Sequence, residues 1–123
     1  MVILDTSIFI YVGNGTLDVE TLRGNQIGFA SATKIEALGF SRITAAELAF
    51  LEQLFAECQQ FDLDEGVIKL AIQLRQQNRM SLADVIIAAT AIEHDCDLWT
   101  ANEADFADVE GLTLRNPLQA SLQ

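Results

Sequence analysis

Four carboxylates in this chain each stand at the edge of an apolar segment. Asp5 follows Val2-Ile-Leu, Glu36 lies in Thr33-Lys-Ile-Glu-Ala-Leu, Asp84 in Ser81-Leu-Ala-Asp-Val-Ile-Ile, and Asp105 in Thr100-Ala-Asn-Glu-Ala-Asp-Phe. Acids beside core-forming runs are costly unless something offsets their desolvation and mutual repulsion. A divalent cation is the usual solution, and a carboxylate cluster holding Mg2+ or Mn2+ suits phosphoryl chemistry. Everything depends on whether the four converge.

Each acid also has a plain structural use. Asp84, three residues after Ser81, can reciprocate a capping bond and favour a helix dipole. Asp5 can cap the helix that follows it, Glu36 can belong to a solvated helix face, and Asp105 sits in an acidic loop with Glu103, Asp108 and Glu110. The remaining fourteen of the 18 acids read as solvated surface.

The elements that must position these acids alternate along the chain. Val2–Leu4 reads as a strand, and Thr6 and Ser7 are expected to cap a helix over Ile8–Val12, closed by Gly13-Asn14-Gly15. Ile27–Ala30 is a second strand, leading into a helix that carries Ile35, Leu38 and Phe40. Thr44 and Glu47 form a capping box opening a helix to about Cys58, with Leu48, Leu51, Leu54 and Phe55 on one face. Phe61–Leu63 is read as a brief strand. Asp64 caps a helix to about Asn78, and Ser81 opens another whose Val85–Ile92 run is apolar nearly all round, as in a buried helix. Asp97–Thr100, a turn at Asn102–Phe106 and Leu112–Leu114 complete the series.

Such alternation predicts an α/β fold, a parallel sheet between helical layers. In such sheets, sites form beyond the carboxyl ends of the strands, where strand order reverses. Asp5 ends the first strand and Asp105 lies one loop after a later one. Asp84 and Glu36 fall near helix starts, so convergence needs no unusual topology. With no repeat, linker or low-complexity stretch in its 123 residues, the chain is expected to form one domain over 1–123.

Composition narrows the setting. Half of the residues are hydrophobic and 20% charged, a globular balance. No apolar run reaches the roughly 20 residues of a membrane span. The N-terminus lacks the basic region of a signal peptide. Cys58 and Cys96 read as two unpaired thiols in a reducing cytoplasm. A net charge of -11, from 18 acids against seven bases, runs counter to the basic patch of most nucleic-acid binders. Arg75 and Arg79 are the only bases at helical spacing, just before the Asp84 segment.

The motifs Asp5-Thr6-Ser7, Thr33-Lys-Ile-Glu36, Asp84-x-x-Ile-Ala-Ala-Thr90 and Thr100-x-Asn102-x-x-Asp105-Phe106 resemble, in order and spacing, those of PIN-domain nucleases. More narrowly, the chain is similar to the VapC-type toxins of bacterial toxin–antitoxin operons, from Met1 through Pro117. The resemblance implies a PIN-like three-layer sandwich with a central parallel sheet of four to five strands. It implies Mg2+- or Mn2+-dependent hydrolysis of RNA, a cognate antitoxin that holds the enzyme inactive, and a homodimer. It assigns Asp5, Asp84 and Asp105 to the metal and Glu36 to the attacking water. Thr6, Ser7, Thr100 and Asn102 would orient carboxylates or donate to a phosphate oxygen. Relatives often carry Arg or Lys in the last motif, where RNA passes, whereas this chain has Ala101, Glu103 and Ala104.

Other chemistry finds less support. His94 has no nucleophile context, Trp99 reads as packing, and Gly13-Asn14-Gly15 lacks the Lys-Ser/Thr of a phosphate loop. Ile8, Phe9, Tyr11, Leu38, Phe40, Leu48 and Leu51 read mostly as core, with part of the set available to an antitoxin groove. A receiver domain would need adjacent acids after the first strand and an Asp closing a middle one. Here Thr6 and Ser7 follow Asp5, and Asp62 is read inside a strand. A haloacid-type phosphatase would want an acid where Ser7 stands. The standing alternative is a PIN-fold binding or regulatory protein with an intact metal site and little or no turnover.

Overall fold

The computed structural model describes residues 1–118; the end of the expected 1–123 unit lies outside the described residues. Five strands form one parallel sheet: β1 (Val2–Leu4), β2 (Ile27–Ala30), β3 (Gln59–Phe61), β4 (Asp97–Trp99) and β5 (Leu114–Arg115), in the order β3-β2-β1-β4-β5. The helices are α1 (Thr6–Gly13), α2 (Ser31–Leu38), α3 (Ala45–Glu57), α4 (Glu65–Gln77) and α5 (Leu82–Glu93).

Alternation along the strands divides the core into two layers. Ile3, Ala30 and Leu98 face a cluster built with Val67, Ala71 and Leu74 of α4 and the buried side of α5. Val2, Leu4, Phe29 and Trp99 face the other, with Ile8 and Phe9 of α1, Ala37 of α2 and Leu51 and Phe55 of α3. Phe9, Phe29 and Phe55 stack and meet edge to face at 4.2–5.8 Å between ring centroids. The α/β sandwich is therefore as expected.

Most helix starts follow their local signals. Thr44, Asp64 and Ser81 accept from the backbone N–H of Glu47, Val67 and Asp84. At α1 the sequence leaves two caps open, Thr6 or Ser7 and Asp5, and it is Asp5 that caps, accepting from the Ile8 amide at 3.2 Å. Thr6 and Ser7 are already helical, because Asp5 holds the extended backbone a cap requires. The helix stops at Asn14, and Gly15 takes φ 84°, a left-handed value glycine adopts without strain.

Strand boundaries shift where pairing outweighs hydropathy. The third strand lies at Gln59–Phe61, two residues before its apolar reading, and the fifth at Leu114–Arg115. Both are edge strands, where one backbone partner suffices and side chains remain partly in solvent. Asp62 therefore follows β3 rather than lying inside it, on the sheet edge away from β1. Gly28 is fixed by packing, since a Cβ there would approach the Phe61 ring to 2.6 Å.

Phe40, read with the helix and mostly as core, lies beyond the end of α2 and is 42% exposed, and Ile35 within α2 is 75% exposed. Arg79 also falls outside a helix, since α4 ends at Gln77. Trp99 packs in the core with the Arg115 guanidinium 4.6 Å from its ring centroid. The His94 ring leans against Phe61 at 4.2 Å, and its Nε2 is buried without a hydrogen-bond partner among the described residues. Among the described residues, no helix is long and apolar enough to cross a membrane.

Candidate functional site

The strand order reverses at β1, whose neighbours are β2 on one side and β4 on the other. Asp5 leaves the end of β1 and Thr100 the end of β4, and their side chains meet across this switch point. The Thr100 hydroxyl donates to Asp5 Oδ2 at 2.5 Å, and the Ser7 hydroxyl donates to Oδ1 at 2.5 Å. The Asp5 amide itself donates to the Trp99 carbonyl. Ala101 N–H donates to Ser7 Oγ and Asn102 N–H to Thr100 Oγ1, at 3.1 and 2.9 Å. Two hydroxyls thus link the carboxylate to the loop after β4.

Asp5 is only 4% exposed, and burial pushes its carboxyl above the ordinary value of 3.8. The bonds from Ser7, Thr100 and the Ile8 and Ser7 amides oppose that rise. A buried carboxylate so held is rigid, and no basic side chain among the described residues pairs with it. The ion pair found among them, Arg23–Glu20, is exposed and elsewhere.

Asp84 stands in the first turn of α5, partly buried. Burial raises its carboxyl above 3.8, hydrogen bonding from Ser81 opposes this, and repulsion from Asp105, Asp5 and Glu36 raises it further. The other three predicted acids therefore all lie within electrostatic reach of Asp84. Asp84 is both a helix-start residue and the centre of that field.

Glu36 is exposed on α2, and its Oε1 accepts from the Thr6 hydroxyl at 2.6 Å. Thr33, fully buried one turn earlier, places its hydroxyl 3.5 Å from that of Thr6. Sequence reasoning quoted Thr33 within a motif but gave it no role. The available signal was its spacing, three residues before Glu36 on one helix face. Asp105 ends a short 3-10 turn (Glu103–Asp105), exposed, and its carboxylate takes no hydrogen bond from the described residues. Asn102 contributes its backbone amide to Thr100 Oγ1, while its side chain makes no hydrogen bond to the described residues.

A polar cleft of about 300 Å³ is lined by Asp105 together with Asn78 and Arg79 from the α4–α5 connection. A larger hollow of about 610 Å³ lies at the other end of the sheet, around Met1, Ile27 and Gln59, away from the acids. The thiols stand apart from the site. Burial pushes Cys58 up to about 11 and also raises Cys96, so neither is an activated nucleophile at neutral pH.

The donor set is hard oxygen carrying uncompensated negative charge, which fits Mg2+ or Mn2+ and no softer ion. No three acids among the described residues already stand in a ligating arrangement. Asp5 and Asp84 are held at least partly buried, while Glu36 and Asp105 stand on exposed positions.

A parallel sheet between helices, with acids gathered at its switch point, defines the structural class. Residues 2–112 match the PIN domain family model, and the chain belongs to that family. No curated protein matches the sequence significantly. Among solved structures, a chain of DNA-bound VapBC from Salmonella typhimurium is 20% identical, with TM-score 0.83 over 95% of this chain and 99% of that one. A toxin–antitoxin complex from Klebsiella pneumoniae gives 23% identity and TM-score 0.79 over 95% and 98%. VapBC-5 from Mycobacterium tuberculosis gives 25% identity and TM-score 0.67 over 93% and 94%.

Proposed function

We propose that this protein is a metal-dependent endoribonuclease, the toxin of a toxin–antitoxin pair, acting in the cytoplasm. The observation that carries this reading is the field at Asp84: Asp105, Asp5 and Glu36 all raise its carboxyl, and no cation among the described side chains offsets them. Asp5 and Asp84 would hold Mg2+ or Mn2+, with Asp105 completing the set. The ion supplies a Lewis acid that lowers the pKa of water and offsets charge on the scissile phosphate.

This chain's own residues do the rest. Ser7 and Thr100 fix the Asp5 carboxylate, so it need not reorganise when charge develops on the phosphate. Glu36, steered by Thr6, takes the proton from the attacking water. The water oxygen bonds to phosphorus as the bond to the 3′ oxygen breaks in line. Asn102, exposed at the site's rim, is free to donate to a phosphate oxygen. Arg79, on the wall beside Asp105, is the base best placed to meet the RNA backbone.

The solved VapBC neighbours and the exposed Ile35, Phe40 and Phe50 support an antitoxin docking along α2 and α3. By the same resemblance the toxin is a homodimer. A second reading, a binding or regulatory PIN protein without turnover, is favoured by the net charge of -11 and by Ala101, Glu103 and Ala104 in the loop where RNA would pass. Incubating antitoxin-free protein with total RNA in Mn2+, Mg2+ or EDTA, beside Asp5→Asn, separates the two. Metal-dependent cuts that vanish in Asp5→Asn support the nuclease; equal inertness of both proteins supports the second reading.

A further inference from the structure

Two hollows of about 300 and 460 Å³ adjoin at the C-terminal end of α4, and Gln77, Asn78 and Asp108 line both. Together they form one cleft that begins at Asp105 and continues to Gln73 and Glu110. Its lining mixes two kinds of surface. Leu70 and Ile92 give apolar ground to one hollow, and Met80 and Val109 to the one beside Asp105. Gln77 and Asp108 are exposed, and their side chains make no hydrogen bond to the described residues. Asn78 is half-buried, and its Nδ2 donates to the Leu74 carbonyl at 3.1 Å, which holds that part of the wall in place.

A lining of this kind suits a nucleobase better than a phosphate. Asp105, Asp108 and Glu110 repel an anion, whereas a base is uncharged, with a flat apolar face and an edge of donors and acceptors. We propose that the cleft reads a guanine of the RNA strand beside the scissile phosphate. The base lies against the apolar ground, Asp108 accepts from its N1–H and N2–H2, and the Gln77 amide donates to O6. The argument for guanine is the order of donors. Guanine alone among the RNA bases presents two adjacent donors on its Watson–Crick edge, which match the two oxygens of one carboxylate. Adenine and cytosine set one amino group beside an acceptor that a carboxylate repels, and uracil has one N–H between two carbonyls. Base contacts also need no phosphate neutralisation, which suits a chain of net charge -11.

The inference rests on the nuclease reading for the strand that delivers the base, and its first test needs no cleavage. The full chain, labelled with nitrogen-15 and kept in EDTA, is titrated with each of the four ribonucleoside 5′-monophosphates. Guanosine monophosphate should move the side-chain amide signals of Gln77 and Asn78 and bind about tenfold more tightly than the other three. Inosine monophosphate, which lacks the 2-amino group, should fall between. Asp108→Asn, shown folded by circular dichroism, should bring guanosine monophosphate within a few-fold of the rest. Sequencing the ends of total RNA cut in Mn2+ should then show guanine at one fixed position beside the cut in wild type and its loss in Asp108→Asn. Equal binding of the four nucleotides, or a guanine preference that survives in Asp108→Asn, overturns the proposal. Selective nucleotide binding with cuts indifferent to guanine also overturns it, by assigning the cleft to a free nucleotide. Selective binding by a protein inert on RNA refutes only the nuclease reading.

Discussion

The four acids divide into a held pair and a loose pair. Asp5 is buried and bound by Ser7, Thr100 and the Ile8 amide, and Asp84 is partly buried at the start of α5 beside Ser81. Glu36 has one hydroxyl partner, and Asp105 takes no hydrogen bond from the described residues; both are exposed. Ligation and proton transfer need these different properties. A carboxylate that must present oxygens to a cation benefits from being fixed before the cation arrives. One that must accept a proton or adjust to substrate benefits from freedom. Asp5 lies where strand order reverses and Asp84 opens α5; the loose pair lies on a helix face and a short turn.

That division ranks the consequences of mutation. Asp5→Asn should lower RNA cleavage by at least ~10²-fold, because it removes charge from the position the rest of the loop is built around. Glu36→Gln should cost on the order of 10²-fold, the scale of a general base, with Mn2+ affinity changed only a few-fold. Comparing RNA cleavage with Mn2+ titration for both variants checks this. If Glu36→Gln lost metal as completely as Asp5→Asn, the contrast between pairs would collapse. Thr100→Val should lower metal affinity roughly 10-fold while Thr100→Ser retains it, since the hydroxyl rather than the methyl holds Asp5.

The smallest effect is on stability. Burial first, and then repulsion from Asp105, Asp5 and Glu36, places the Asp84 carboxyl above its ordinary 3.8. A raised acid binds its proton more tightly folded than unfolded, so ionisation opposes folding. The penalty is absent well below 3.8, grows as pH rises toward the folded value, and is complete above it. Asp84→Asn should therefore stabilise metal-free protein at neutral pH, with the gain vanishing in acid. Thermal unfolding against pH measures it. Excess Mn2+ should reverse the order by stabilising the wild type alone.

The legible parts of the sequence were those with local causes. Thr44, Asp64 and Ser81 announced their helices, the even apolarity of Val85–Ile92 announced burial, and the four acids stood out against apolar neighbours. The family expected from their motifs is the family the chain matches. Other features depended on tertiary partners. Asp5 rather than Thr6 or Ser7 caps α1, a choice settled by the extended backbone it takes at the end of β1. β3 pairs through Gln59 and Gln60 because a strand edge rewards backbone partners rather than hydropathy. Thr33 acquires meaning only when α1 brings Thr6 against α2. Ile35 and Phe40 are exposed because α2 turns Thr33 and Ala37 to the core and ends at Leu38.

The most direct test is calorimetric titration of Mn2+ into metal-free protein, wild type beside Asp5→Asn and Asp84→Asn, each shown folded by circular dichroism. The account predicts saturable binding by the wild type and its loss in both variants. Absence of binding by the wild type, or binding unchanged in Asp5→Asn, would contradict the claim that these carboxylates form one cation site.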